Sequence, residues 1–160
     1  FYNMNKLFAF IFLFVSTISL IQKKNELKVY SFEEVEKLHK VMPKPIVVFI
    51  QADWCKICHG MEKTTLANEK VIELLNKSFY FVKLNGEQKE EITFLGKTFV
   101  FKPYGNSGTH ELALELATID KRMVYPTTTI LDKEFGIVLQ LDGLVNKRRM
   151  TSILKKAKKL

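Results

Sequence analysis

The stretch that decides the fold is residues 45–58, PIVVFIQADWCKIC. It opens with a continuous β-branched and aromatic run from Ile46 to Ile50, which is typical of a central strand buried on both faces. It closes on Cys55 and Cys58, and a helical pattern follows them through Met61. The two thiols are therefore predicted to lie at a turn from a buried strand into a helix.

Two thiols separated by two residues can form a small disulfide ring and open it again. At the start of a helix, unpaired backbone N–H groups and the positive end of the macrodipole stabilise the thiolate of Cys55, and Lys56 adds a positive charge. The thiolate is the nucleophile in disulfide exchange. Cys58, one turn further in and less exposed, can resolve the mixed disulfide that Cys55 forms with a partner.

The elements around this stretch alternate between helix and strand. A capping box of Ser31 and Glu34 begins a helix with Val35 and Leu38 on its apolar face. After the cysteines, Asn68 begins or resumes a helix. Residues 79–84 then form another strand, which completes a β–α–β unit.

The second half predicts smaller elements. They are a hairpin over residues 92–101, a loop over 103–108, a short helix capped by Thr109, a strand over 127–131 that follows Tyr125-Pro126, its partner strand over 137–141, and a last helix capped by Asn146.

The segment Ala52-Asp53-Trp54-Cys55-Lys56-Ile57-Cys58, set between a buried strand and a helix, resembles the active site of the thioredoxin family. Tyr125-Pro126-Thr127 before a strand resembles the cis-proline loop of that family. The resemblance covers about residues 28–160, and residues 86–117 look like an insertion. It implies an α/β, thioredoxin-like fold: a central mixed β-sheet flanked by helices, with an inserted hairpin, loop and helix before the cis-proline loop.

The resemblance also implies a role for each matching residue. Cys55 matches the attacking cysteine, Cys58 the resolving cysteine and Trp54 the tryptophan that covers one side of the site. Pro126 matches the cis-proline, and Tyr125 matches the residue whose backbone pairs with a bound substrate strand.

Two positions depart from the family pattern. Lys56-Ile57 replaces the Gly-Pro of ordinary thioredoxin, and this dipeptide tunes cysteine acidity and redox poise. Phe49 stands where thioredoxin carries a buried acid on the central strand. The proton acceptor for Cys58 is therefore not identified by the sequence, and Asp53 is expected to be exposed.

The predicted function is thiol–disulfide exchange with protein disulfides as substrates. We expect reduction outside the cytoplasm, with electrons from a membrane donor; an oxidase or isomerase is the alternative within this class. The redox centre is the Cys55–Cys58 disulfide, so neither a metal nor an organic cofactor is expected.

Residues 1–22 are predicted to be a signal peptide or an N-terminal anchor. The run from Leu7 to Ile21, LFAFIFLFVSTISLI, is almost wholly apolar and follows Lys6. It is shorter than the roughly 20 residues a spanning helix needs and fits the apolar region of a signal peptide. The expected location is periplasmic or otherwise extracytoplasmic, with membrane anchoring through residues 7–21 as the alternative.

Length and charge set broad limits. The 160 residues suffice for one domain with a substantial core. The net charge is +8, and much of it lies near the C-terminus, from Lys147 to Lys159. Such a run could meet nucleic acid or an anionic membrane but is usually a solvated helix face. No aromatic residues interleave with these cations, so no nucleic-acid partner is expected.

Three rival interpretations use the same residues. Cys55 to His59 reads C-x-x-C-H, the attachment signature of c-type haem. A structural zinc site needs four ligands, and the chain has one cysteine pair. A non-catalytic thioredoxin-fold binding module would present the aromatic hairpin side chains, Phe94 to Tyr104, to a partner; on base rates such a stripe is core.

Overall fold

The computed structural model describes residues 25–160. The predicted signal or anchor over residues 1–22, with its apolar run over 7–21, lies outside the described residues. Within them, no helix combines the length and the apolar content needed to cross a membrane.

The helices of residues 25–160 are α1 (Phe32–Val41), α2 (Lys56–Met61), α3 (Glu69–Ser78), α4 (Glu111–Ala117) and α5 (Lys147–Ala157), and a π-helical segment, Glu62–Leu66, joins α2 to α3. The strands are β1 (Ile46–Gln51), β2 (Tyr80–Asn85), β3 (Ile92–Phe94), β4 (Lys97–Phe99), β5 (Phe101–Tyr104), β6 (Ser107–His110), β7 (Thr118–Ile119), β8 (Arg122–Met123), β9 (Thr127–Leu131) and β10 (Ile137–Asp142).

The central sheet has the strand order β10-β9-β1-β2. Strand β1 runs parallel to β2 and antiparallel to β9, with Val48 opposite Val82 on one side and Thr129 on the other. Strand β10 is antiparallel to β9. The sheet is mixed, as predicted, and every residue of β1 is buried because the strand is interior and covered on both faces.

Side chains of β1 alternate between two cores, because successive residues of a strand point to opposite faces. Val47 and Phe49 pack with α2, α3 and α5. Ile46, Val48 and Ile50 pack with α1, α4 and the β3–β4 hairpin. Helices therefore flank both faces of the sheet, which confirms the predicted thioredoxin-like architecture.

The predicted helix caps of α1 and α5 are present. In α1, Ser31 Oγ accepts from the Glu34 N–H at 3.1 Å and Glu34 accepts from the Ser31 N–H at 2.7 Å, so both halves of the capping box form. In α5, Asn146 Oδ1 accepts from the Arg149 N–H at 3.0 Å. Asn68 precedes α3, where the chain resumes a helix after the π-helical segment.

The predicted apolar face of α1 is partly wrong. Val35 is fully buried, but Leu38 is 39% exposed, and the buried positions are Phe32, Val35 and His39. The ring of His39 lies 4.5 Å from that of Phe135, and its Nε2 donates to the Lys133 carbonyl at 2.8 Å. The turn before β10 thus selects the buried face of α1.

The predictions for residues 92–110 need three corrections. The first hairpin, β3–β4, ends at Phe99, and Phe101 belongs to a second hairpin, β5–β6. The predicted loop over 103–108 is mostly strand, with Gly105 and Asn106 at its turn. Thr109 lies in β6, and the cap of α4 is His110, whose Nδ1 accepts from the Leu112 N–H at 3.3 Å.

The hairpin aromatics divide between core and surface. Phe94 and Phe99 are buried, Phe101 is half-buried, and Tyr104 is 86% exposed. The core prediction therefore holds for Phe94 and Phe99 and is wrong for Tyr104.

Candidate active site

Cys55 and Cys58 form a disulfide at the point where β1 passes into α2. Cys55 is the N-cap of α2, and the two Cα atoms are 5.2 Å apart. The Cys58 N–H donates to Cys55 Sγ at 3.1 Å. A backbone N–H aimed at this sulfur would stabilise a thiolate there once the disulfide is reduced.

The two cysteine residues differ in exposure. Cys55 retains 4% exposure and Cys58 has none. Both lie in the core cluster that contains Phe49 and Met61. Because Cys55 is the more exposed of the two residues, an external thiol or disulfide would reach it first.

Trp54 stands beside Cys55 with 67% of its surface exposed. Its indole Nε1 lies 3.1 Å from both carboxylate oxygens of Glu87, to which it donates. Its ring lies edge-on to that of Tyr125, with centroids 5.9 Å apart. Trp54 is thus held at the rim of the site by one charged and one aromatic neighbour.

The segment predicted as the cis-proline loop lies at the same end of the sheet as the disulfide. The Tyr125–Pro126 peptide bond is cis. Thr127, which follows it, is paired with Ile50 near the end of β1. The Pro126 carbonyl accepts from the Gly143 N–H at 2.8 Å, and Tyr125 packs against the core cluster that holds both cysteines.

The surroundings of Tyr125 alter its acidity. Burial, and then the negative charge of Glu87, raise the pKa of Tyr125 to about 12. Its ring lies directly on Gly86: a Cβ placed there would come within 2.6 Å of Tyr125 Cε1. Sequence reasoning missed Gly86 and Glu87; the one available signal was a glycine at the end of a predicted strand.

The residues between the cysteines, Lys56 and Ile57, face solvent, and Ile57 is 55% exposed. Trp54 precedes Cys55 in the chain and Ile57 follows it, and both expose apolar surface near this cysteine. Apolar surface at the rim of a site favours contact with another protein.

Phe49 occupies the position where thioredoxin has a buried acid, and its side chain is fully buried. A charged pair lies nearby instead. Glu62 follows Cys58 by one helical turn, and its N–H donates to the Cys58 carbonyl. The Glu62 carboxylate forms an ion pair with Lys83, the β2 residue opposite Phe49. The i, i+4 spacing from Cys58 was the signal that could have identified Glu62.

Asp53 and His59 lie on the exposed side of the motif. Asp53 is exposed, as expected, and its carboxylate accepts from Asn85 Nδ2 at 3.0 Å. His59 Nε2 donates to the Asp53 carbonyl at 2.8 Å, and its Nδ1 is 3.8 Å from Glu62. Over residues 25–160, His, Cys, Asp and Glu side chains form no group of three or more that could hold a metal ion.

Several solved structures have the same fold as this chain. The chain is similar to a DsbH oxidoreductase, with 21% identity, a TM-score of 0.57 and coverage of 84% of this chain and 86% of that one. It is similar to a thioredoxin from Thermus thermophilus, with 20% identity, a TM-score of 0.58 and coverage of 81% and 85%. The C-terminal domain of Neisseria meningitidis DsbD in its reduced form has 15% identity, a TM-score of 0.51 and coverage of 77% and 90%. At these identities, the likeness establishes the fold.

Two sequence comparisons give matches, and one of them identifies the family. An uncharacterized protein from Caenorhabditis elegans is 32% identical over 65 residues, which are 41% of this chain and 9% of that protein. The model of the thioredoxin-like domain family matches residues 32–158. With its mixed sheet and its disulfide-bonded C-x-x-C pair, this chain belongs to the thioredoxin-like domain family.

Proposed function

We propose that this protein is a thiol–disulfide oxidoreductase that reduces disulfide bonds of other proteins outside the cytoplasm. The observation that carries the chemistry is the Cys55–Cys58 disulfide at the start of α2, in a thioredoxin-like fold. Because the cysteine pair is the redox centre, the reaction requires neither a metal nor an organic cofactor.

The reaction begins from the reduced pair. The Cys55 thiolate attacks one sulfur of a substrate disulfide, forms a mixed disulfide and releases the other substrate sulfur as a thiolate, which takes up a proton. Cys58 then loses its proton and attacks Cys55 Sγ. This step closes the Cys55–Cys58 disulfide and releases the second substrate thiol. Two electrons pass to the substrate, and a dithiol donor at the membrane must restore the pair for the next cycle.

The substrate would lie along Tyr125. Among residues 25–160, we find no hydrogen bond to the backbone N–H or C=O of Tyr125, so both groups are available to an extended substrate strand. Trp54, held by Glu87, borders the same place. This arrangement supports a protein substrate whose disulfide is presented in an extended segment.

Charges around Cys55 support the direction of electron flow. Strong oxidants of this fold stabilise the reduced form. Here the helix start and Lys56 favour the thiolate of Cys55, but Asp53 and Glu87 set carboxylates on the same rim and oppose it. A thiolate without strong extra stabilisation favours a reductase. The apolar run over residues 7–21 supports action after export.

A redox titration tests the direction. Trp54 is the single tryptophan of the chain and adjoins Cys55, so its fluorescence should report the state of the pair. We expect a reversible midpoint near thioredoxin's roughly −270 mV, whereas a midpoint near about −120 mV would identify an oxidant. The absence of any transition, with cysteines inert to thiol reagents, would contradict the redox function and favour a binding module or C-x-x-C-H haem attachment.

Cysteine variants test the roles of the two thiols. With insulin as the disulfide substrate, Cys55→Ser should abolish turnover. Cys58→Ser should instead accumulate a mixed disulfide between insulin and Cys55, visible by non-reducing electrophoresis and mass spectrometry. Turnover by the Cys55→Ser variant would refute the mechanism.

A further inference from the structure

We propose that the outer face of α5 binds the anionic phospholipid surface of a membrane. This helix and the residues just after it carry seven of the eight net positive charges of the chain and no acid. The cations are Lys147, Arg148, Arg149, Lys155, Lys156, Lys158 and Lys159, and all are exposed.

The cations form a continuous face of the helix. Met150, Leu154 and Ala157 are buried against the core, and they define the inner side of α5. Arg148 and Lys155 have the spacing i, i+7, which places them together on the opposite side of the helix, and Lys159 follows just after the helix ends at Ala157. Lys156 borders this row. Cations on the side of a helix opposite its buried side can all contact a flat anionic surface at once.

Ion pairs within the fold do not explain these charges. Within residues 25–160, none of the seven forms an ion pair with an acidic side chain. Lys147, Arg148 and Arg149 also lie in the first turn of α5, where the helix macrodipole disfavours positive charge. Lys155 and Lys156 lie in the last turn, where the macrodipole favours positive charge, so the helix accounts for those two. The three cations of the first turn gain no such stabilisation, and an external anionic partner accounts for them better.

The start of the described chain lies against α3, the helix next to α5. Asn68 and Glu69, at the start of α3, line a groove with Lys147 and Arg148, so α3 and α5 lie side by side with their N-terminal ends together. Asn76, in the last turn of α3, accepts from the Lys28 N–H at 2.9 Å and donates to the Glu26 carbonyl at 2.8 Å.

The sequence that precedes this point contains Lys23, Lys24 and the apolar run over residues 7–21. The chain thus enters the fold beside α3, the neighbour of α5, and the sequence before that point carries a second candidate membrane signal. Two such signals give far stronger attachment than one alone.

A lipid surface suits this face better than nucleic acid. Single-stranded nucleic acid is bound by aromatic side chains interleaved with cations, and residues 147–160 contain no aromatic residue. The face is one convex helix, which a planar array of phosphate headgroups can match. Each Lys or Arg near an anionic membrane strengthens binding by about fivefold.

Vesicle binding of the full chain tests the proposal. Partition coefficients are measured on phosphatidylcholine vesicles with and without phosphatidylglycerol, at about 0.1 M and about 1 M salt, where the Debye length falls from about 10 Å to about 3 Å. The test variant replaces Arg148, Lys155, Lys156 and Lys159 with Gln. A charge-matched control replaces four exposed lysines of other elements, Lys37, Lys40, Lys89 and Lys121, with Gln. Neutral vesicles measure the contribution of the apolar segment, which all proteins share.

We expect the wild type to prefer anionic vesicles at about 0.1 M salt and to lose this preference at about 1 M. The α5 variant should bind anionic vesicles at least about 25-fold more weakly, if two of its cations reach the headgroups, and the control should stay within about twofold of wild type. An unchanged redox response of Trp54 verifies that both variants are folded. Equal losses in both variants, no preference for anionic lipid, or binding of duplex DNA without any lipid preference would each overturn the proposal.

Discussion

Gly86 is the position where one methyl group should disturb the candidate active site most. Its N–H donates to the Gln51 carbonyl at 2.8 Å, and its carbonyl accepts from the His110 N–H at 2.8 Å. The two hydrogen bonds fix the backbone of Gly86, so it cannot move away from the ring of Tyr125. In the variant Gly86→Ala, the new Cβ would lie 2.6 Å from Tyr125 Cε1 and 2.8 Å from Cζ.

The size of the effect follows from these distances. Carbon atoms rest at about 3.5–4.0 Å, so the ring of Tyr125 must move by about 1 Å. Overpacking of this kind costs about 1–3 kcal/mol of the free energy of unfolding. The ring would also leave its edge-on contact with Trp54, and its hydroxyl would become better solvated. The pKa of Tyr125, about 12 in the wild type, should therefore fall towards its ordinary value of 10.0.

Two measurements test the loss of stability and the fall in the Tyr125 pKa. Urea unfolding monitored by Trp54 fluorescence gives the change in the free energy of unfolding. Alkaline titration of tyrosinate absorbance gives the pKa, and the variant Tyr125→Phe identifies which of the five tyrosines is responsible. Insulin reduction should slow as well, because the displaced Tyr125 borders the proposed substrate strand.

Gly60→Ala is the matched control. Gly60 lies in α2, and a Cβ there would meet nothing within 4 Å. This change should stabilise the protein by about 0.5–1 kcal/mol, because Ala has the higher helix propensity. If Gly86→Ala left both the unfolding free energy and the Tyr125 pKa unchanged, the inferred contact between Gly86 and Tyr125 would be refuted.

Two further predictions concern His110 and Glu62, which the sequence analysis did not single out. His110 is fully buried, and burial lowers its pKa below 6.5. The fold thus favours the neutral ring, and His110 contributes stability that is complete above pH 6.5 and is lost as the pH falls below it. His110→Asn should weaken this loss in urea unfolding at about pH 7.5 and about pH 5; an unchanged loss would contradict the assignment. Glu62→Gln removes the carboxylate one turn beyond Cys58 and should slow release of the mixed disulfide by at least about tenfold, with recovery at higher pH. Rapid-mixing kinetics separate this step from the first attack by Cys55, which should keep its rate; equal slowing of both steps would exclude Glu62 as the proton acceptor for Cys58.

The parts of the fold that can be predicted from the sequence are those whose structure is determined by residues close together in the chain. The buried run of β1, the capping box at Ser31 and the cysteine spacing are all local patterns, and each is present in the structure. Leu38 is different because its burial depends on which distant element covers α1. The turn at Lys133 binds His39 instead, and nothing near Leu38 in the sequence indicates this contact.

The second hairpin was missed because its composition is typical of a loop. Residues 103–108 contain Pro, two Gly, Asn and Ser, which favour turns. Pro103 nevertheless lies in β5, paired with Gly108 of β6. A two-stranded hairpin has only edge strands, and an edge strand tolerates a proline whose missing N–H faces solvent.

The site residues missed by the sequence belong mainly to the segment over 86–117, and this has a physical explanation. Gly86 supports the ring of Tyr125, Glu87 holds the indole of Trp54, and the His110 N–H closes the segment back onto the Gly86 carbonyl. At its far end, the Leu116 carbonyl accepts from Gln140 Nε2 at 2.7 Å. The segment therefore begins beneath the rim of the disulfide site and ends against β10, the second strand after the Tyr125–Pro126 loop. Each of these contacts joins residues distant in the chain, so residue spacing could not reveal them. A segment that supports both Trp54 and Tyr125 is part of the candidate substrate site, and its sequence should influence which protein disulfides reach Cys55.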